Sequence, residues 1–402
     1  MASNRPSTLL LRVDGFGWQD CLATGPGSAI LGSLLFSALF LSPMSVKFLL
    51  RVAGTLLLAW AAAAACVALH TPLPWMLGPL VATSVLSMAG APTESWGPLR
   101  NGGQWAIGAA LGLYFTPEVS ALVGSLWWAI VLGIGWALLL GWGFGAWLYR
   151  LHAPRMHGVP ASMLRSTSYF AGAIGAASEM TLLSERENAR TDLVAASHSL
   201  RLLIVTITIP FALQWSGLQG LDILTPTVRE VSWPGLALLA LLTGAGALVM
   251  DRLGRANPWF MGAMLVSMAV TMAGLHLSAV PQAVVNAAQL VIGVSLGVRF
   301  RAEFLHTAPR WLASVAVGTF GLMGICAAFA AVLAWATGLP WVTLLLGTSP
   351  GGITEMAITA KVLQLGVPVV TAFQVCRLIA VLMLVGPMFR RIYPPTEGGS
   401  AI

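Results

Sequence analysis

Twelve apolar windows, each able to enter a bilayer, follow one another through the chain with only short polar joints between them. The first six run roughly Phe48–Leu69, Pro74–Gly90, Gly103–Phe115, Ala121–Tyr149, Ser168–Leu183 and Leu193–Leu213. The second six run Pro234–Met250, Pro258–Leu275, Val284–Val298, Trp311–Ala336, Trp341–Ile358 and Val369–Phe389. All are expected to be helices, because a backbone polar group in lipid must find its partner within the segment. Several fall short of the ~20 residues a straight crossing needs. Glycine and proline interrupt the fifth window of each set.

Composition agrees. Charged residues make up 9% of the 402 and hydrophobic residues 57%, against a charged share of about 25% in soluble domains. The net charge of +7 does not indicate nucleic acid, since the basic residues lie in short loops rather than on one face. Such loop charges set the orientation of membrane proteins. Tryptophans fall near window ends (Trp75, Trp96, Trp233, Trp259, Trp311, Trp341), where indole favours the interface. Cys21, Cys66, Cys326 and Cys376 have no metal-ligand spacing and read as buried free thiols.

The two sets of windows are related. Pro74 opens P-W-M-L-G-P-L-V and Pro258 opens P-W-F-M-G-A-M-L-V. Gly103 opens G-Q-W-A-I-G-A-A-L-G-L-Y-F and Ala288 opens A-Q-L-V-I-G-V-S-L-G-V-R-F. A-I-G-A-A-S-E-M ends at Met180 and S-P-G-G-I-T-E-M at Met356. H-S-L-R-L-L-I-V carries Arg201 and Q-V-C-R-L-I-A-V carries Arg377. Four matched blocks in one order imply an internal duplication.

Loop charges then constrain the topology. If all six windows per half cross, the loop Lys and Arg residues divide eight against eight. If the interrupted fifth window returns to its own side, fourteen lie inside and only Arg229 and Lys361 outside. The positive-inside rule selects the second arrangement. An odd number of crossings per half inverts the second copy relative to the first, the construction of many secondary transporters.

The candidate site follows from the interrupted windows. Glu179 and Glu355 each follow a break, marked by Gly172 and Gly175 in the first half and by Pro350, Gly351 and Gly352 in the second. A carboxylate beside a broken helix can bind a cation, carry a proton or orient a solute, with Ser178 and Thr354 adding hydroxyls. The alternative is that each Glu neutralises the intramembrane Arg of its own half, Arg201 or Arg377. His198, one turn from Arg201, reads as a satisfied packing residue, because its counterpart is Gln374. Gln104 and Gln289 precede G-x-x-x-G spacings (Gly108 to Gly112, Gly293 to Gly297) that let helices approach closely. The glutamines read either as solute ligands or as interhelical hydrogen-bond partners.

These blocks, together with D-L-V-A-A-S-H-S-L-R-L, resemble the AbrB family of duplicated bacterial membrane proteins. The resemblance covers roughly Met44 to the C-terminus. Members are often labelled ammonia monooxygenase or regulator, and the name is shared with an unrelated soluble DNA-binding domain. The residues here match neither label, offering no metal-ligand set and no DNA-reading module. The resemblance also implies kinship with the cation-antiporter and anion-transporter superfamily. One departure is that A-I-G-A-A-S-E-M lacks the P-G-G of the second half, so unequal contributions from the two halves are expected.

The expected fold is therefore an all-α polytopic membrane protein of two inverted repeats, with about ten transmembrane helices plus one interrupted or re-entrant segment per half. The expected organisation is an N-terminal extension over 1–43, read either as a mis-called start ahead of Met44 or as a loosely ordered extension, a first repeat over 44–232, a second over 233–392 and a tail over 393–402. The expected function is secondary transport or export of a small solute, with a membrane-embedded regulator as the alternative and an oxygenase last. No catalytic role, cofactor or metal is expected. The expected partners are the lipid bilayer, a small solute or ion and further copies of the chain, without nucleic acid. The expected location is the bacterial inner membrane, with both termini cytoplasmic.

Overall fold

The computed structural model describes residues 45–156, 158–217, 230–300 and 308–394. The extension over 1–43, Arg229, Arg301 and all but the first two residues of the tail lie outside the described residues. The chain divides into two units, Met1–Leu49 and Leu50–Ile402. Of the first only residues 45–49 are described, so the described fold is that of the second.

Among the described residues the apolar windows form fifteen helices and no strand. In the first half these are α1 (Val46–Ala68), α2 (Pro74–Met88), α3 (Gly97–Gly112), α4 (Pro117–Ser125), α5 (Trp127–His152), α6 (Ala161–Gly172), α7 (Ala177–Arg186) and α8 (Thr191–Ser216). In the second they are α9 (Trp233–Arg252), α10 (Pro258–Met272), α11 (Gln282–Gly297), α12 (Pro309–Thr337), α13 (Trp341–Thr348), α14 (Ile353–Val362) and α15 (Val367–Ile392). Apart from α4, the order of lengths recurs. The helices α2 and α10 have 15 residues, α3 and α11 have 16, α7 and α14 have 10, and α8 and α15 have 26.

Local chemistry explains where these helices begin. Leu73 and Asn257 hold the left-handed conformation (φ 45° and 51°) immediately before Pro74 and Pro258. Proline suits a first helical position, where its missing N–H would be unpartnered in any case. Ser232 caps α9 by accepting from the Gly235 amide, and Thr116 caps α4 by accepting from the Val119 amide.

Six helices (α1, α5, α8, α9, α12 and α15) are long and apolar enough to cross a membrane, which makes this a multi-pass membrane protein. The pair α3–α4 adds a seventh candidate crossing, bent by 90°. The apolar α2, α10 and α11 have 15 or 16 residues, short of a straight crossing. The outward faces are apolar: Trp335 is 88% exposed, Leu241 70% and Leu57 69%. In water such a surface would aggregate, whereas lipid solvates it.

The short helices cross-pack between the halves through glycine. A Cβ on Gly108 of α3 would overlap the Phe260 carbonyl of α10, and one on Gly112 would lie 2.6 Å from the Met264 carbonyl oxygen. In the same way a Cβ on Gly293 of α11 would lie 2.5 Å from the Met76 carbonyl oxygen of α2, and one on Gly297 would overlap the Thr83 hydroxyl. Each half thus supplies its second helix to the third helix of the other. Ser267 adds a hydrogen bond to the Ala109 carbonyl at 2.8 Å. Between the two pairs, α3 and α11 touch directly, and a Cβ on Gly103 would lie 3.0 Å from the Ala288 carbonyl oxygen.

Candidate functional site

Each interrupted window forms two short helices separated by four unwound residues. The helices α6 and α7 flank residues 173–176 (Ala-Ile-Gly-Ala), and α13 and α14 flank residues 349–352 (Ser-Pro-Gly-Gly). A helix that stops inside a membrane leaves carbonyls without partners on one side of the break and amides on the other.

The carbonyls are satisfied by arginine. Arg201 of α8 donates to the carbonyls of Ala171 and Gly172 at 3.3 Å each, and to that of Ala173 at 2.8 Å. Arg377 of α15 donates to the carbonyls of Ser349 at 2.5 Å and Gly351 at 2.9 Å. A cation at this end also opposes the negative pole of α6 or α13. Both arginines are buried, at 3% and 6% exposure, in helices that have no other charge nearby to hold them.

A residue one turn earlier braces each guanidinium. Arg201 donates to His198 Nδ1 at 2.8 Å, and His198 Nε2 lies 2.9 Å from the Phe170 carbonyl. The network therefore assigns the proton to Nε2 and leaves the imidazole neutral. Arg377 donates to Gln374 Oε1 at 2.6 Å, and Gln374 Nε2 donates to the Leu346 carbonyl at 2.7 Å. Phe170 and Leu346 are counterparts, so histidine and glutamine perform one task in the two halves.

This geometry corrects the ion-pair alternative. No carboxylate oxygen of Glu179 or Glu355 lies within 4 Å of Arg201 or Arg377. The ion pairs among the described residues are Arg51–Glu94, Arg190–Asp192 and Arg390–Glu187, all on the periphery. Gly172 is also not in the break. It is the last residue of α6 and packs so tightly on α5 that a Cβ would lie 2.5 Å from the Gly141 carbonyl oxygen.

The amide side of each break is left open. Neither Ala176 nor Gly352 caps its helix through a side chain. The amides of Ala177 and Ser178, and of Ile353 and Thr354, make no hydrogen bond to the protein. Glu179 and Glu355 stand third in α7 and α14, the position where a carboxylate meets the positive pole of its own helix. At Gly352 a Cβ would overlap the Glu355 carboxylate, so a larger residue there would have to displace that side chain. Met180 and Met356, both fully buried, fill the same place beneath Gly175 and Gly351.

Both open ends face one cavity of about 370 Å³. Ser178, Glu179, Arg201, Thr354, Glu355 and Arg377 line it, as do Gly175, Pro350, Gly351, Gly352 and Gln104. Gln289, the counterpart of Gln104, is not among the lining residues and is 2% exposed within α11. Although the break of the first half lacks P-G-G, Ile174 to Glu179 line the cavity alongside Pro350 to Glu355.

Sequence reasoning missed the mouth of the cavity. Arg100 and Asn101 reach it from α3, Arg299 from the end of α11, and Asp251, Arg255 and Trp259 from around the α9–α10 joint. Arg299 was visible inside a matched block, where the first half has Tyr114. Among the described residues no group of three or more His, Cys, Asp and Glu forms a metal-ligand cluster.

A family model described as "Transition state regulatory protein AbrB" matches residues 75–393. The chain is 26% identical to "Putative regulator AbrB" of Escherichia coli (strain K12), across 81% of this chain and 91% of that one. It is 24% identical to "Uncharacterized protein YhjN" of Bacillus subtilis (strain 168), across 79% of this chain and 87% of that one. No solved structure matches it significantly.

Proposed function

The chain belongs to the AbrB family, and from that premise we propose that it is a secondary transporter or exporter of a small solute. The observation that carries this reading is the cavity onto which two broken segments, one per half, direct their uncapped helix N-termini. Substrate sites of secondary transporters have this construction, with discontinuous helices meeting near the bilayer midplane.

In this reading the halves are inverted repeats, α6–α7 and α13–α14 enter from opposite faces, and the other apolar segments cross. The protein lies in the bacterial inner membrane with both termini cytoplasmic, the arrangement favoured by the loop charges. The cavity then opens to the cytoplasm, because Arg100, Arg255 and Arg299 belong to that face. No enzymatic step is part of the proposal.

Inversion also identifies the opposite route. The counterparts of Arg100, Gln104, Asn257 and Arg299 are Val285, Gln289, Leu73 and Tyr114. Val285 and Leu73 are fully buried, Gln289 is nearly so and Tyr114 is half-buried, which supports a closed exit on this side. Alternating access predicts that this second set opens when the first closes.

A regulator is the second reading, favoured by the name of the Escherichia coli relative. Such a protein would sense its solute and act on gene expression indirectly. Side-specific labelling separates the two. Cysteines replace Ser178, Thr354 and Gln289 singly in a background without Cys21, Cys66, Cys326 and Cys376. Impermeant thiol reagents are then applied to each face of membrane vesicles. A transporter labels Ser178→Cys from the cytoplasmic face, and an imposed ion gradient makes Gln289→Cys reactive from the other. Labelling that stays on one face under every gradient refutes transport and advances the regulator.

A further inference from the structure

The ionised side chains around the cavity do not balance. Five arginines (Arg100, Arg201, Arg255, Arg299 and Arg377) face three carboxylates (Glu179, Glu355 and Asp251). Arg201 and Arg377 are occupied with the carbonyls of the breaks. The other three guanidinium groups are not: among the described residues they make no side-chain hydrogen bond and have no carboxylate within 4 Å. Arg100 Nε is shielded from solvent and still lacks an acceptor. A buried donor without a partner is costly, and more so when charged.

Arg299 lies within electrostatic reach of Arg100 as well as of Glu355. Like charges held together at a cavity mouth repel unless an anion sits between them. The floor has the same sign, since the free amides of α7 and α14 and their helix poles attract anions. The cavity volume of about 370 Å³ lies within the ~300–1,000 Å³ usual for small-molecule sites and far exceeds the needs of a chloride ion. Trp259, Leu202 and Leu378 supply apolar wall.

We infer that the solute is a small organic carboxylate, held by Arg100, Arg255 and Arg299 at the mouth and by the free amides of Ser178 and Thr354 at the floor. The planar fork of a guanidinium matches a carboxylate with two parallel hydrogen bonds. Glu179 and Glu355 partly offset the two helix poles, so the bound anion depends on the mouth arginines for its excess attraction. This inference deepens the transporter reading and rests on it for the word solute, although the binding site itself can be tested without transport.

The test uses the purified full chain in detergent, with binding read from tryptophan fluorescence and from the thermal midpoint. The probes are succinate and citrate, compared with glycerol, lysine, sulfate and phosphate at equal ionic strength. Succinate or citrate is expected to bind, with affinity falling roughly tenfold or more for Arg299→Gln and Arg100→Gln, the loss of a charge-assisted pair. Arg299→Lys should retain part of the affinity, which a folding defect would not explain. Binding of glycerol or lysine in preference, binding of sulfate or phosphate alone, or carboxylate binding indifferent to the arginines overturns the inference. Proteoliposome flux separates the two readings. Arginine-dependent carboxylate binding without flux under any gradient sinks transport and keeps the anion site. Flux of a neutral or cationic solute, unchanged by the arginine variants, keeps transport and sinks the anion site.

Discussion

If Arg201 holds the broken segment of its half by occupying carbonyls, replacing it with methionine should destabilise the whole protein. Arg201→Met keeps the chain length and removes three hydrogen bonds, to Ala171, Gly172 and Ala173, together with the partner of His198 Nδ1. Two of the bonds are long at 3.3 Å and one is short at 2.8 Å. With about 1–3 kcal/mol for each buried polar group left without a partner, and the long bonds at the low end, the loss is about 4 kcal/mol. Arg201→Lys keeps the charge but reaches fewer carbonyls and should lose roughly half of that. Unfolding in mixed detergent, followed by tryptophan fluorescence, reads both values. Glu179→Gln supplies the comparison. No ion pair links it to Arg201, so it should change stability by less than about 1 kcal/mol. The double variant Arg201→Met with Glu179→Gln should then be additive within about 0.5 kcal/mol. A loss below about 1 kcal/mol for Arg201→Met, or strong coupling to Glu179, would refute carbonyl capping.

Outcomes at four further residues follow from the structure. His198→Gln should leave stability within about 0.5 kcal/mol of the parent, because Gln374 does this work in the other half; His198→Ala, with no acceptor for the guanidinium, should lose about 1–3 kcal/mol in the same unfolding assay. Gly297→Ala forces a Cβ into the Thr83 hydroxyl and within 2.8 Å of the Leu80 carbonyl oxygen, and should lower stability by about 1–3 kcal/mol. Gly54→Ala has nothing within 4 Å and should gain up to about 1 kcal/mol from helix propensity. Glu355→Gln removes the carboxylate that shares the positive pole of α14 with any bound anion, so succinate should bind the variant several-fold more tightly in equilibrium titration.

Much of this was legible in the sequence for physical reasons. Lipid forces apolar segments into helices, so the windows found the helices to within a few residues at Pro74, Pro258 and Trp341. Gly175, Pro350, Gly351 and Gly352 located the breaks, whereas Gly172 closes the helix before its break. Pairing was harder to read. A Glu and an Arg at equal spacing in both halves suggested an ion pair, yet Arg201 and Arg377 satisfy carbonyls, whose need for donors is invisible in a string of side chains. The mouth was missed because Arg100, Arg255 and Arg299 come from separate joints. As loop charges they read as orientation signals, and only the fold brings them together. Gln104 and Gln289 show the limit of treating matched positions as equivalent: one lines the cavity and the other is buried.

The cross-packing of the short helices has a consequence for any attempt to divide this chain. Cut between residues 217 and 230, it would yield one fragment carrying α2 and α3 and another carrying α10 and α11, so that all four helices lose their interlocking partners. The grooves at Gly108 and Gly293 admit backbone that only the other fragment owns. Each piece would therefore expose close-packing grooves that the other normally fills. Covalent linkage therefore acts as a stoichiometry device, delivering both members of every interlocked pair to the membrane in one insertion event.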